Sequence, residues 1–324
     1  MIPPGRNRSV ESDLLSGLGA PDPHHAERVV CEHADRCGGC PIIGLPYGEQ
    51  LALKRGRVVQ SASRYAALEL VYTEPVAAAR PIVEYRTRAK LIVGPGAKLG
   101  LYAKGGGHQV VDIPRCRVLS RALAEVASAL RALIAAEVET GGPLAPFDPG
   151  GGGALRAVDL REVCNDEGSR VLVTLVVQRN RVGSRESLEE AARALGDALP
   201  TVAGVALNFH EGEAPQILGS ETVVVYGASA APDRLGRSVH RATYGSFVQA
   251  HRAQAERVHE TLVELLALGD ASPRARVLDL YGGSGAIALS LAHAGADVLM
   301  VESFAPAAAH AEHSAREQGL PVRA

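Results

Sequence analysis

The sequence predicts two folded units: an α+β domain built on an antiparallel sheet, then the opening part of a doubly wound α/β domain that stops before its last strands. Three observations lead there. Short β-type runs separated by glycine-rich turns recur between Tyr85 and Asp112 and again over 154–178 and 202–226. From residue 251 onward, helix, strand, helix, strand and helix alternate. The chain has 324 residues, 46% hydrophobic and 22% charged, which is enough to bury a sizeable core and suits two domains.

Taken in order, residues 1–28 carry Pro, Gly, Ser and a His24–His25 pair without sustained periodicity and read as a flexible leader. The α+β domain is assigned to 29–240. It opens on three closely spaced cysteines, and Tyr47–Tyr65 follows as a helix with apolar positions Leu51, Leu53, Val58 and Val59. This helix, taken over 47–66, is also a candidate to pack on the second unit. RAKLIVG, LGLYAK and HQVVDI read as a small antiparallel sheet, and Arg121–Glu137 as a helix. The loop GGPLAPFDPGGGGAL lacks the Lys-Ser/Thr of a phosphate-binding loop and is taken as a connector. ALRAVDLREV, RVLVTLVVQ, GVALNFH and TVVVYG supply further strands, with Leu188–Leu195 helical between them. The second unit is assigned to 241–324. In it, His251–Leu268 places Ala255, Val258, Leu262, Leu265 and Leu266 on one helical stripe. The strand ARVLDLYGG, a helix Ala286–His293, the strand ADVLMVES, a helix Pro306–Gln318 and PVRA come next.

The formal net charge is −2, which argues against a uniformly basic protein that coats nucleic acid. Its distribution is uneven: between Lys54 and Arg117 there are twelve Lys or Arg against four Asp or Glu. No run of 18 apolar residues exists, and the first 30 residues lack the apolar core of a secretory signal, so no membrane association and a cytoplasmic location are expected.

Five cysteines, three within Cys31-x5-Cys37-Gly-Gly-Cys40, fit metal binding in a reducing compartment better than a disulfide framework. Thiolates at this density hold a soft metal or a cluster, and a structural zinc with His33 or Cys116 as fourth ligand is the alternative, followed by free thiols. In the second unit, Val277–Ala286 is a buried-type strand running into glycines and a helix, where a ligand can lie against the backbone. Gly283-x-Gly285-x-x-Ala288 also satisfies a dinucleotide pattern, and Glu302 suits the ribose of either NAD or S-adenosylmethionine. A nicotinamide-dependent reductase therefore stays open at this point.

The segments CEHADRCGGC, QLALKRG, YRTRAKL and IPRCRVL, in this order, resemble the bacterial uracil-5-methyltransferases that act on 23S ribosomal RNA. The resemblance runs from Cys31 to the last residue. It implies a Rossmann-like class I methyltransferase domain over 241–324, S-adenosylmethionine as methyl donor, and a [4Fe–4S] cluster held by Cys31, Cys37, Cys40 and Cys116. It also implies RNA, preferably 23S ribosomal RNA, as partner. Members without a cluster act on transfer RNA, so that substrate is the alternative, as is a non-catalytic RNA-binding iron–sulfur protein. Tyr244-Gly-Ser-Phe-Val-Gln249-Ala-His251 resembles the family's Phe-x-Gln-x-Asn segment, which makes Gln249, Tyr281, Gly283, Gly285, Ala286 and Glu302 the expected cofactor contacts. Arg86, Arg88 and Lys90 are the expected RNA contacts. Three positions depart from the family: Gly282 replaces a common Cys, Ala286 a common Asn, and His251 the usual Asn.

By the same resemblance, the nucleophilic cysteine and the base lie beyond Ala324, after an Asp-Pro-Pro-Arg turn, so no catalytic residue is assigned within the chain; Cys164 matches nothing. An incomplete sequence is the favoured explanation, ahead of a separately encoded C-terminal half and a degenerate relative. A monomer is expected; by the same resemblance the strand Val277–Tyr281 is central in its sheet, and the strands of one side, which come later in sequence, are absent from the chain, leaving an apolar edge that invites aggregation.

Overall fold

A computed structural model describes residues 26–150, 153–212, 216–268 and 274–324. The leader expected over 1–28, including the His pair, lies outside the described residues as far as residue 25.

The central domain is a single seven-stranded sheet rather than separate small ones. Its strands are β1 (Arg88–Gly94), β2 (Lys98–Tyr102), β3 (Val110–Asp112), β4 (Leu155–Asn165), β5 (Gly168–Gln178), β6 (Val202–His210) and β7 (Glu221–Gly227), in the spatial order β3-β2-β1-β4-β5-β6-β7. All neighbours are antiparallel except β5 and β6, which run parallel because the helix α3 (Arg185–Ala198) crosses between them. The other helices of this region are α1 (Tyr47–Ala62) and α2 (Arg121–Thr140). Helix α2 is capped at both ends: Ser120 Oγ accepts from the N–H of Leu123, and Gly141, at φ 67°, closes it in the left-handed conformation that glycine tolerates. Leu123, Leu130 and Ile134 of α2 and Leu188 of α3 are fully buried against one face of the sheet. On the other face, Val163 and Leu172 pack on Ala231 and Ala242 of a hairpin, β8 (Ala230–Leu235) and β9 (Ser238–Thr243). Sequence reading did not anticipate this hairpin, and the boundary expected at 240/241 falls inside β9. Helix α1 ends three residues before the expected Tyr65, and Tyr47, Gln50, Leu51 and Lys54 of it line a cavity together with His251 and Gln254 of the next unit.

The second unit is a parallel sheet, β10 (Arg276–Leu280), β11 (Asp297–Val301) and β12 (Val322–Arg323), with α4 (Arg252–Leu265), α5 (Ala286–His293) and α6 (Ala305–Glu317). Val298 and Met300 are buried against α5 and α6, whereas Leu278, Leu280, Leu299 and Val301 on the opposite face are about half exposed. Among the described residues β10 pairs on one side only, with β11. No described helix is long and apolar enough to cross a membrane.

Candidate functional site

Two cavities carry chemistry. The larger, about 460 Å³, opens at the carboxyl end of β10. There the chain turns through three positive φ angles, Tyr281 at 61°, Gly283 at 58° and Gly285 at 79°, before entering α5. The turn is held by the N–H groups of Tyr281 and Gly282, both of which donate to Val301 O (2.8 and 3.2 Å). Glu302, at the end of β11, accepts from Gly283 N (2.9 Å) and Phe304 N (2.8 Å), and these two backbone donors lower its pKa below the usual carboxylate value. Gln249, Tyr281, Gly283, Ala286 and Glu302 all line this cavity. Gly285 does not: it sits behind the loop, where a Cβ would come within 2.7 Å of Ala311 Cβ, so its smallness brings α6 close. Gly282 is equally tight, since a Cβ there would lie 2.2 Å from Met300 Cγ.

Two further features of this cavity escaped sequence reading. Asp279 has an unpartnered, buried Oδ2, and burial raises the pKa of its carboxyl. Such an oxygen suits a cationic ligand. Deeper in, Asp233 is fully buried and accepts from Arg252 Nη2 (2.7 Å) and Cys164 N (3.1 Å), with His240 Nε2 at 3.4 Å and Arg161 Nη2 at 3.6 Å. Burial pushes the Arg161 guanidinium down to about 10 and the His240 imidazole down to about 4. No cysteine lines this cavity, and the Cys164 thiol instead lies beside Ser169 Oγ (3.2 Å).

The second cavity, about 250 Å³, is lined by Cys31, Cys37, Cys40 and Cys116. Cys37 N donates to His33 O (2.8 Å), Gly38 N to Tyr102 O (2.9 Å) and Gly39 N to Cys37 Sγ (3.4 Å). The two glycines are needed here: a Cβ on Gly38 would meet Tyr102 O at 2.8 Å, and one on Gly39 would meet Leu101 Cδ1 at 2.5 Å. Cys116, distant in sequence, is delivered by its neighbour Arg115, whose Nε donates to Glu32 Oε1 (2.9 Å) beside Cys31. Burial and then the nearby Cys116 thiol raise the pKa of Cys40. None of the four is in a disulfide, and all four line this one cavity. Among the described residues no group of three or more His, Cys, Asp or Glu side chains is arranged to hold a single metal ion.

The three residues expected to touch RNA part company. Arg88 is committed inside the protein, with Nε and Nη2 on Asp159 (3.1 and 2.6 Å), Nη2 also on Gly245 O (3.0 Å) and Nη1 on Ser246 O. These bonds join β1 to β4 and to the segment that carries Gln249, and the side chain is mostly buried. Arg86 and Lys90 border the cysteine cavity.

No protein-family model matches the chain. In sequence it is 30% identical over 303 residues to a Gloeobacter violaceus protein named as an uncharacterized RNA methyltransferase, covering 92% of this chain and 63% of that one. A Geobacter sulfurreducens protein with the same description is 29% identical over 290 residues, covering 88% of this chain and 56% of that one. The chain thus spans less than two thirds of the length of these relatives. Among solved structures, the Pyrococcus abyssi tRNA (uracil-54, C5)-methyltransferase in complex with S-adenosyl-L-homocysteine superposes with a TM-score of 0.65, covering 89% of this chain and 64% of that one. At 19% identity that likeness is one of fold.

Proposed function

We propose that this chain carries the cofactor-binding and RNA-binding parts of an S-adenosylmethionine-dependent RNA methyltransferase acting on C5 of a uridine, with 23S ribosomal RNA as its preferred substrate. The observation that carries the reading is the cavity that unites Gln249, the Tyr281–Ala286 turn and Glu302 over the unpartnered oxygen of Asp279. When bound, the cofactor supplies a methyl group on a positively charged sulfonium. Two carboxylates, Asp279 and Glu302, suit a cation, whereas the pyrophosphate of a dinucleotide would meet like charge. Glu302 still has lone pairs for the ribose hydroxyls, and Gln249 offers an amide from the opposite wall. The cavity holds and orients the cofactor; it contains no cysteine to add to C6 of the base.

What supports a [4Fe–4S] cluster in the cysteine cavity is its donor chemistry: Cys31, Cys37, Cys40 and Cys116 all line one space, and four thiolates are the ligand set such a cluster takes. Phosphate contacts fall to the basic stretch from Lys54 to Arg117, without Arg88.

Calorimetric titration with S-adenosylhomocysteine and with NADH tests the cofactor reading. Binding of the first and not the second is expected, with Glu302→Ala weakening it about tenfold or more; tight NADH binding alone overturns the proposal. Anaerobically purified protein is expected to be brown and to lose its visible absorbance in Cys37→Ala, whereas a colourless protein with stoichiometric zinc overturns the cluster. Tighter binding of a 23S ribosomal RNA fragment than of transfer RNA is expected, and the reverse order reassigns the substrate.

A further inference from the structure

The start of α4 is held from outside its own unit. His251 caps the helix by accepting from Gln254 N at Nδ1 (3.4 Å), and its Nε2 donates to Pro81 O (3.1 Å). With Nδ1 accepting from the helix, Nε2 is the ring nitrogen that faces the Pro81 carbonyl. The same ring stacks on Tyr85, with centroids 4.7 Å apart and planes 16° apart. Tyr85 in turn packs in the small apolar cluster that contains Cys31, Cys40 and Cys116. Next to this contact, Thr87 N and Oγ1 both donate to Ala250 O (2.8 and 3.2 Å), and Arg86 pairs with His251 as an isolated antiparallel bridge. Gln249, a wall of the cofactor cavity, is two residues from His251.

From this geometry we infer that His251 is a positioning residue: it sets the place of Gln249 in the cofactor cavity by fastening the end of segment 244–250 to Tyr85 and Pro81 of the cysteine-bearing layer. A helix cap alone needs only a short polar side chain. The imidazole does more. It reaches three partners in three directions, the helix N–H, the Pro81 carbonyl and the Tyr85 ring, and two of these belong to the layer that holds the cysteines. Other ties hold the segment at Tyr244, Gly245 and Ser246, through Ala228 O, Arg88 and Arg161, and at Ala250 through Thr87, while Phe247 between them is 72% exposed. The cofactor wall is thereby joined, through Gln249, Ala250, His251 and Tyr85, to the apolar cluster of Val29, Ile43 and Val118 on which Cys40 also packs.

The inference rests on the cavity being the S-adenosylmethionine site, and a double-mutant cycle on the full chain tests it. S-adenosylhomocysteine affinity is measured for wild type, His251→Ala, His251→Asn, Gln249→Ala and the His251→Ala/Gln249→Ala pair. His251→Ala alone is expected to weaken binding about tenfold, but less than about twofold once Gln249 is gone, because the two act on one contact. His251→Asn, which keeps the cap, is expected to recover part of the loss. Equal losses in both backgrounds, or none in either, overturn the inference while leaving the cofactor reading intact; a wild type that does not bind S-adenosylhomocysteine overturns both. Should His251→Ala fail to fold, Tyr85→Leu takes its place in the cycle, with non-additivity expected and additivity overturning the inference.

Discussion

The seven-stranded sheet and the three-stranded sheet differ in how they are covered. In the first, β4, β5 and β6 are buried on both faces, with helices on one side and the β8–β9 hairpin over part of the other. In the second, α5 and α6 cover one face while the leucines and valine of the other meet solvent. The cavity with the cofactor residues sits on the second, less covered sheet, yet its deep end is built by the hairpin that packs on the first. Stability and ligand recognition are thus divided between two bodies that share one seam.

The largest expected effect lies in that seam. Asp233→Ala leaves Arg161, Arg252 and His240 without their shared buried partner and is expected to cost about 3–5 kcal/mol in urea denaturation. A loss under about 1 kcal/mol would mean that the two regions do not depend on the hairpin charges. Leu130→Ala, a fully buried leucine under the large sheet, is expected to cost about 2–5 kcal/mol, read as a shift in the denaturation midpoint. The third prediction concerns pH. His240 is held neutral down to about pH 4 in the folded protein, against an ordinary value of 6.5, so the unfolded chain binds the extra proton between those values. Stability should then be full above pH 6.5 and fall by an amount on the order of 3 kcal/mol as pH drops towards 4. His259, also lowered by burial, acts in the same direction. A His240→Gln variant should flatten much of that slope in denaturation at stepped pH. The smallest effect belongs to the bare face: Leu278→Ala, at a side chain 56% exposed, is expected to change stability by less than about 0.5 kcal/mol. A loss comparable to that of Leu130→Ala would erase the contrast between the sheets.

The part of this architecture that repeats a regular pattern was legible from sequence. Helix α5 occupies the expected Ala286–His293, because apolar residues and the glycines before it leave no other reading, and the alternation of Val298 and Met300 with Leu299 and Val301 marks β11. The β8–β9 hairpin was not legible. Its inward residues include Asp233 and His240, which patterning assigns to a surface, and its one signal was Gly236, whose φ of 57° serves the two-residue turn. The cofactor loop and Glu302 were readable as a unit, but Asp279 was not, because its importance comes from an oxygen with no partner rather than from a spacing. Arg88 shows the opposite case. A basic residue in a basic stretch reads as a phosphate ligand, and only the fold shows Asp159 on the neighbouring strand β4, diagonal to it and within hydrogen-bond reach.

The exposed side of β10 and β11 has a consequence for measurement. Tyr281, 90% exposed, stands at the mouth of the cofactor cavity and directly follows Leu278 and Leu280 on the same strand. Any self-association through that apolar strip would shade the mouth, and mass action then makes apparent cofactor affinity fall as protein concentration rises. Titrations repeated across a dilution series separate the intrinsic constant from this competition, and a change of Leu278 and Leu280 to polar residues should make the series flat.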